Sequence, residues 1–152
     1  MKKFYTFLFL LIAGNSFSQV EGVWYLAEQE GALAVGSADW NNTWWANNTA
    51  DITTRACLWD DSVVFDPNGD FSNGMGADTW LEPFQGVGSE QCAAPVTPHS
   101  DANGTWSFDA GTGDLTLSGV GCHLGLSKVI NGTELSNPGD APASITYKLT
   151  FS

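Results

Sequence analysis

The chain has 152 residues, 17 acidic against five basic side chains, and a formal net charge of −12. This composition excludes nucleic acids and anionic membrane surfaces as partners, because both are bound through lysine and arginine. The length suits one domain with a substantial core.

The N-terminus has the features of a secretory signal peptide. Two lysines precede an apolar run, 4–13, and Ser16 and Ser18 supply small residues at the −3 and −1 positions. Cleavage is therefore predicted after Ser18, so residues 1–18 are the signal peptide and 19–152 the mature domain. Loss of the two lysines changes the net charge from −12 to −14. No later segment approaches the roughly 20 apolar residues of a spanning helix, so no membrane insertion is expected.

Alternating apolar residues predict antiparallel strands joined by turns. The first strand is VEGVWYLAE; SVVFDPNGDFSNG predicts a hairpin turning at 66–69, and GTWSFDAGTGDLTLSG a second turning at 111–113. SITYKLTFS predicts a last strand. Three tryptophans in or beside these strands are interpreted as core residues: Trp24, Trp59 and Trp106.

Helix signals are scarce. Thr49 is positioned to cap a turn or two through ADITTRACL, and LSKVIN predicts another turn. Together with 17 glycines and connections rich in Asn and Asp, this predicts an all-β fold. We expect a single antiparallel domain, either a lipocalin-like barrel or a β-sandwich, with little helix.

Three cysteines are present. In an oxidising compartment two are expected to pair, and Cys57 and Cys92, each beside loop-like sequence, are the predicted disulfide. Cys122, within GVGCHLGL, is then either a small buried apolar residue or a route to dimerisation.

Catalytic signals are weak. His99 and His123 are a thin supply of general bases, and no serine lies in a Gly-x-Ser-x-Gly elbow. Most carboxylates lie in turns, where Asp bonds its own backbone. Asp60, Asp61 and Glu82 are the acids beside aromatic clusters. We expect a protein without catalytic residues or a cofactor.

The stretch DPNGD begins like a calcium-binding EF-hand loop, with Asp66, Asn68 and Asp70 at ligand spacing. Phe71 then stands where the loop requires glycine, and no glutamate follows at the twelfth position. A hairpin turn therefore explains the stretch better, and no metal ligand is assigned.

Tryptophan is unusually frequent, with seven in the chain. Trp44 and Trp45 are adjacent, so on an extended chain their rings face opposite sides and one is expected to be exposed. Flat rings stack on the apolar faces of sugars, and amides bond the surrounding hydroxyls. The candidate ligand-binding residues are Trp40, Trp44, Trp45, Asn47, Asn48 and Trp80. The alternative is a loop folded back as a lid, pinned by its tryptophans and by the Cys57 bridge.

Segments throughout the chain resemble one kind of secreted module. They include GVWYLAEQEGALAVG, TWWANNTADITTRACLWDDSVVFDPNGDF, DTWLEPFQG, CAAPVTPH, LGLSKVINGTELS and DAPASITY. The module occurs in marine polysaccharide-degrading bacteria, alone or joined to laminarinase-type glycoside hydrolases of family 16, and the resemblance covers residues 20–151. It implies a non-catalytic accessory role, with a polysaccharide or oligosaccharide as partner. It also implies a further strand after Phe151, and Cys57 and Cys92 as the pair, since Cys122 replaces a small residue.

A second resemblance is to lipocalin-like proteins. It rests on Gly22-x-Trp24 in the first strand, on CLWDDSVVFDPNGDF and on WSFDAGTGDLTL. This likeness implies a barrel that carries a small apolar ligand. A structural adhesion module is the third alternative. In each case we expect a secreted, extracellular protein, with the periplasm or cell surface as alternative locations.

Overall fold

A six-stranded antiparallel sheet organises the molecule, for which a computed structural model describes residues 19–37 and 44–151. The predicted signal peptide, residues 1–18, and the candidate binding residue Trp40 lie outside the described residues. The described chain is built mainly of strands and turns with two small helices, so the predicted all-β antiparallel fold is confirmed.

The strands are short and numerous. In the described residues they are β1 (Gly22–Tyr25), β2 (Ala34–Val35), β3 (Trp45–Ala46), β4 (Ser62–Phe65), β5 (Asp70–Gly74), β6 (Thr79–Leu81), β7 (Gln91–Ala93), β8 (Asn103–Asp109), β9 (Asp114–Ser118), β10 (Val129–Ile130), β11 (Thr133–Glu134) and β12 (Ser144–Lys148). The helices are α1 (Thr49–Thr54) and α2 (Ala56–Trp59), with 3₁₀ turns at Pro83–Gln85 and Pro138–Asp140.

The main sheet is a meander of order β1-β4-β5-β8-β9-β12. All its pairings are antiparallel, and both predicted hairpins, β4–β5 and β8–β9, are present. The predicted last strand pairs with β9. Within the described part of the chain β1 and β12 are the two edges, so these strands do not close into a barrel.

The connections divide between the two ends of this sheet. At one end, which we call the turn end, residues 66–69 join β4 to β5 and 110–113 join β8 to β9. At the other, the excursion end, three long segments leave and return: 26–61, 75–102 and 119–143. Each excursion carries a small hairpin of its own, β2–β3, β6–β7 or β10–β11.

The core lies on one face of the sheet. Directly paired residues of antiparallel strands point to the same side, and the register pairs Phe65 with Phe71, and Leu117 with both Trp106 and Ile145. Residues from beyond the sheet complete the main cluster, which consists of Val20, Phe65, Phe71, Ala102, Leu115, Leu117 and Cys122.

The tryptophans interpreted as core residues differ in their surroundings. Trp59 is buried, and Trp106 is half-buried against the main cluster. The interpretation of Trp24 is wrong, because this residue is 45% exposed. It lies on the edge strand β1, which has a sheet neighbour on one side only, so its ring is covered incompletely.

The predicted disulfide between Cys57 and Cys92 is present and joins the first excursion to the second. Cys57 packs with Leu58 and Trp80 in a second apolar cluster. Cys122 is a buried free thiol, which confirms its interpretation as a small buried residue.

The helical predictions need two corrections. Asn48, not Thr49, caps α1, because its side chain accepts from the Ala50 and Asp51 amides at 2.7 and 3.2 Å. In LSKVIN the turn is limited to a hydrogen bond from the Val129 amide to the Leu126 carbonyl, after which β10 begins. None of the helices in 19–37 and 44–151 is long and apolar enough to cross a membrane.

Candidate functional site

A cleft of about 290 Å³ opens on the apolar face of the sheet, between the edge strand β1 and the residues that follow β12. Its walls are mainly apolar, and six side chains define them: Trp24, Leu26, Val63, Phe65, Leu149 and Phe151. Both edges of the meander therefore contribute to one cleft.

Three exposed aromatic residues line the cleft: Trp24, Tyr25 and Phe151. The ring of Trp24, on β1, is held by a hydrogen bond of 2.7 Å from its indole Nε1 to the Val20 carbonyl. Phe151 is 42% exposed and makes an edge-on contact with Phe108, with ring centroids 5.8 Å apart. β12 ends at Lys148, and a bond from the Leu149 amide to the Gly113 carbonyl extends its pairing by one residue, so Phe151 lies just beyond the paired strand.

Polar groups meet at the excursion end of the cleft, where Asp61, Asn73 and His123 line it. The Asn73 side chain makes two hydrogen bonds to the backbone of His123, donating to its carbonyl at 2.9 Å and accepting from its amide at 3.3 Å. The His123 ring bonds the Gly121 carbonyl through Nδ1 at 2.8 Å. Asn73 thus holds the third excursion against the sheet.

A small polar cavity of about 10 Å³ adjoins this end of the cleft. Both spaces are lined by Leu58, Asp61, Met75, His123 and Gly125. The volume is enough for one group of the size of a water molecule.

Three buried polar side-chain atoms, each from a residue that lines the small cavity, have no hydrogen-bond partner in the protein. They are Asp61 Oδ1, Trp80 Nε1 and His99 Nδ1. Trp80 and His99 are more than nine-tenths buried. Since buried polar groups are nearly always paired, three such atoms around one cavity mark a place built for a polar group.

Burial sets the protonation of this region. It raises the pKa of Asp61 to about 7, against the opposing effect of a 2.5 Å hydrogen bond from Thr79 Oγ1. The negative charges of neighbouring carboxylates raise this pKa further; they belong to Asp60, Asp78 and Asp101.

The imidazoles shift in the opposite direction. Burial lowers the pKa of His123 to about 4 and also lowers the pKa of His99, so both rings are neutral at pH 7. Their centroids lie 5.5 Å apart in an edge-on contact. As it does for Asp61, burial raises the pKa of Glu82, which also lines the small cavity. Among the described residues, no side chain that lines the cavity is cationic at pH 7.

The candidate binding residues from the sequence are separated by the fold. Trp44 is 67% exposed, whereas Trp80 is buried. The Arg55 guanidinium lies between the rings of Trp45 and Trp80, at 4.7 and 4.6 Å from their centroids, and contacts Glu90 at 3.3 Å. We call this stack the Arg55 clamp.

The two asparagines of that set hold the backbone. Asn47 is buried, accepts from the Leu33 amide and donates to the Gln29 carbonyl, both at 2.9 Å. Asn48 uses its side-chain oxygen as the cap of α1. The side-chain oxygens of both asparagines are therefore committed to backbone amides.

Metal-binding geometry is limited to one cluster in the part of the chain that the structure describes. Atoms of Cys57, Asp78 and Cys92 lie within 4.8 Å of one another, but the disulfide removes both thiolates as ligands. In the DPNGD stretch, Asp66 Oδ1 accepts from the Asn68 amide at 2.8 Å, which is the bonding of a turn.

Sequence reasoning missed three members of the site: Trp24, His123 and Phe151. Trp24 and Phe151 were expected on strand faces, and alternation shows which face a residue occupies but not whether another element covers it. Asp61 was noted in the sequence only as an acid beside aromatic residues, and in the structure it lines the polar end of the cleft.

No family model matches the sequence, and neither a curated protein nor a solved structure matches it.

Proposed function

We propose that this chain is a secreted, non-catalytic binding protein whose cleft takes a small, mainly apolar ligand. The observation that carries the proposal is the cleft itself, about 290 Å³ in volume, with apolar walls and polar groups gathered at one end. Small-molecule sites commonly have this composition, and their volumes begin near this value. The disulfide and the acidic composition are compatible with an extracellular location.

The polar groups at this end of the cleft are few, and part of their bonding capacity is committed to the protein itself. Asp61 is the one carboxyl group that lines the cleft, and the nearby imidazoles are held neutral by burial. The Nδ1 of His123 is occupied by the Gly121 carbonyl. Such groups suit recognition of a ligand's polar end.

A glycan-binding surface around Trp44 is the second candidate, and the exposure of that ring supports it. Its neighbour Trp45 is committed to Arg55, so the surface would offer one free aromatic platform rather than two. A polysaccharide accessory role would rest on this ring.

Two matched substitutions separate the candidates. Trp24→Ala is expected to weaken the binding of N-phenylnaphthylamine, a neutral apolar fluorophore, by about tenfold, since it removes a wall of the cleft. Trp44→Ala is expected to leave that binding unchanged. In affinity electrophoresis against laminarin, the glycan candidate predicts the reverse pattern.

Fluorescence titration gives the first affinity, and near-ultraviolet circular dichroism checks that each variant is folded. A folded protein that does not bind the fluorophore would refute the cleft proposal. Retardation by laminarin that is lost only in Trp44→Ala would establish the second candidate in its place.

A further inference from the structure

We infer that the ligand of the cleft is a neutral amphiphile with a terminal hydroxyl group, and that the hydroxyl enters the small cavity between Asp61, Trp80 and His99. The inference rests on the proposed function, because it assigns the polar end of the same ligand. It follows from the three unpartnered atoms, the size of the cavity and its shared wall with the cleft.

The donor and acceptor types around the cavity select the ligand group. Trp80 Nε1 can only donate, so the ligand must present an acceptor. Asp61 Oδ1 is an acceptor when the carboxyl is ionised and can donate when it is protonated, so the ligand group must be able to donate as well as accept. A neutral His99 ring serves in either role according to its tautomer. A hydroxyl group is both donor and acceptor and meets all three requirements.

Size, charge and hydrogen-bonding capacity argue against three other ligand groups: a carboxylate, a phosphate and an ammonium group. About 10 Å³ admits one oxygen-sized group, which is too little for a carboxylate or a phosphate. An anion would also be repelled by the ionised form of Asp61, with no cation among the described lining residues to offset it. An ammonium group would pair with Asp61 but has no lone pair for the Trp80 indole, so that buried donor would stay unpaired.

The body of the ligand then has one direction to follow. Leu58 and Met75 line both spaces, and the cleft continues from them along Val63 and Phe65. An alkyl chain or ring that starts at the hydroxyl therefore runs along the apolar face of the sheet towards Trp24.

The test is a competition series on the wild-type protein, with N-phenylnaphthylamine as the displaced probe. At about pH 9, above the pKa of Asp61, octanol is compared with its isomer heptyl methyl ether, which accepts but cannot donate, and with octylamine and octanoate. We expect octanol to bind about tenfold more tightly than the ether, because the ether leaves a buried acceptor unpaired. The amine and the carboxylate are expected to be weaker than octanol.

Two tryptophan variants locate the hydroxyl. Trp80→Phe removes the unpartnered donor and keeps a ring beside Arg55, so the octanol-to-ether preference is expected to fall towards unity. Trp59→Phe is the matched control. It removes an indole N–H that is bonded to the Ile52 carbonyl away from the cavity, so the preference should persist.

Each failure has a separate meaning. If the probe does not bind to the folded protein, the proposed function is refuted and the inference is refuted with it. If the probe binds but octanol and the ether compete equally, the cleft stands and the hydroxyl site does not. Tighter binding of octylamine would overturn the inference in favour of a cationic ligand, and an unchanged preference in folded Trp80→Phe would place the hydroxyl elsewhere. The wild-type series decides alone if Trp80→Phe does not fold.

Discussion

The two ends of the main sheet are built in different ways. At the turn end, the connections are four residues long and are closed by local bonds, such as the Gly69 amide to the Asp66 carbonyl at 2.9 Å. At the excursion end, the segments are fixed by contacts between residues far apart in sequence, above all the disulfide and the Arg55 clamp. The polar end of the candidate site lies at the excursion end.

This difference shows that the long-range contacts are concentrated at the excursion end. Short turns need only local chemistry, and strand pairing then places the apolar face. Long connections lose more entropy when they are ordered, so they need cross-links if they are to hold side chains at a site. Each prediction below perturbs one end and leaves the other as its reference.

The largest effect is expected from removing the disulfide. Cys57→Ser combined with Cys92→Ser opens a link between positions 35 residues apart, which corresponds to about 4 kcal/mol of unfolding free energy in the chain-entropy model. Urea unfolding of the double variant and of the wild type measures the loss. A loss below about 1 kcal/mol would mean that the Arg55 clamp alone orders the excursions.

Opening the Arg55 clamp is expected to cost about 2 kcal/mol, because a buried guanidinium loses two aromatic faces and an ion-pair partner. The variant is Arg55→Gln, assayed by urea unfolding. Lys148→Gln is the control at the turn end, where Lys148 contacts Asp114 at 2.7 Å in an exposed pair. The control should lose much less stability, and equal losses would remove the distinction between the two ends.

The pH dependence of stability should reveal two opposing groups at the excursion end. His123 has a folded pKa of about 4, below its ordinary value of 6.5, so between these values the unfolded state binds the extra proton and stability rises with pH. Asp61 has a folded pKa of about 7, above 3.8, so the folded state binds the extra proton there and stability falls with pH. The two slopes oppose each other in the wild type.

Asp61→Asn should expose the histidine contribution. The variant is expected to gain stability with rising pH between about 4 and 6.5, with a slope of up to about 1.4 kcal/mol per pH unit. Thermal unfolding of both proteins across this range measures the difference. Parallel profiles for the two proteins would show that Asp61 titrates normally when folded.

The smallest effect is expected from Gly69→Ala at the turn end. Gly69 has φ of +90°, a conformation that costs a side-chain-bearing residue about 1 kcal/mol. Gly88→Ala is the control, because open space surrounds that glycine and its φ is not in the left-handed region. Urea midpoints of the two variants should differ by this amount, and no difference would mean that the turn tolerates a new conformation.

The sequence was informative where structure is local. The Asp66-Pro-Asn-Gly69 turn is predictable because its residues bond their own backbone, and the strands beside it are predictable from alternation. The disulfide was also predicted. Asn48 and Asn47 serve here as a helix cap and in a buried backbone bond, roles that an amide in a polar stretch can take as readily as ligand binding.

The site was less predictable because it depends on how distant elements meet. Nothing local pairs Trp45 and Trp80 with Arg55, since the tryptophans lie on β3 and β6 and Arg55 lies between α1 and α2. The same limit of sequence-based prediction applies to Trp24 on the main sheet. Its strand and face follow from the pattern, but its role as a cleft wall depends on the path of the chain after β12.

Because Cys122 is buried, the reaction of its thiol can report when the third excursion separates from the sheet. Its sulfur lies over Gly104 and Gly119, where an added methyl carbon on either glycine would approach it to 2.8 Å, and burial raises the pKa of its thiol. The other two cysteines are joined to each other. A thiol reagent therefore has one target, which reacts only when the third excursion lifts from the sheet, so the labelling rate times that movement in an unmodified chain.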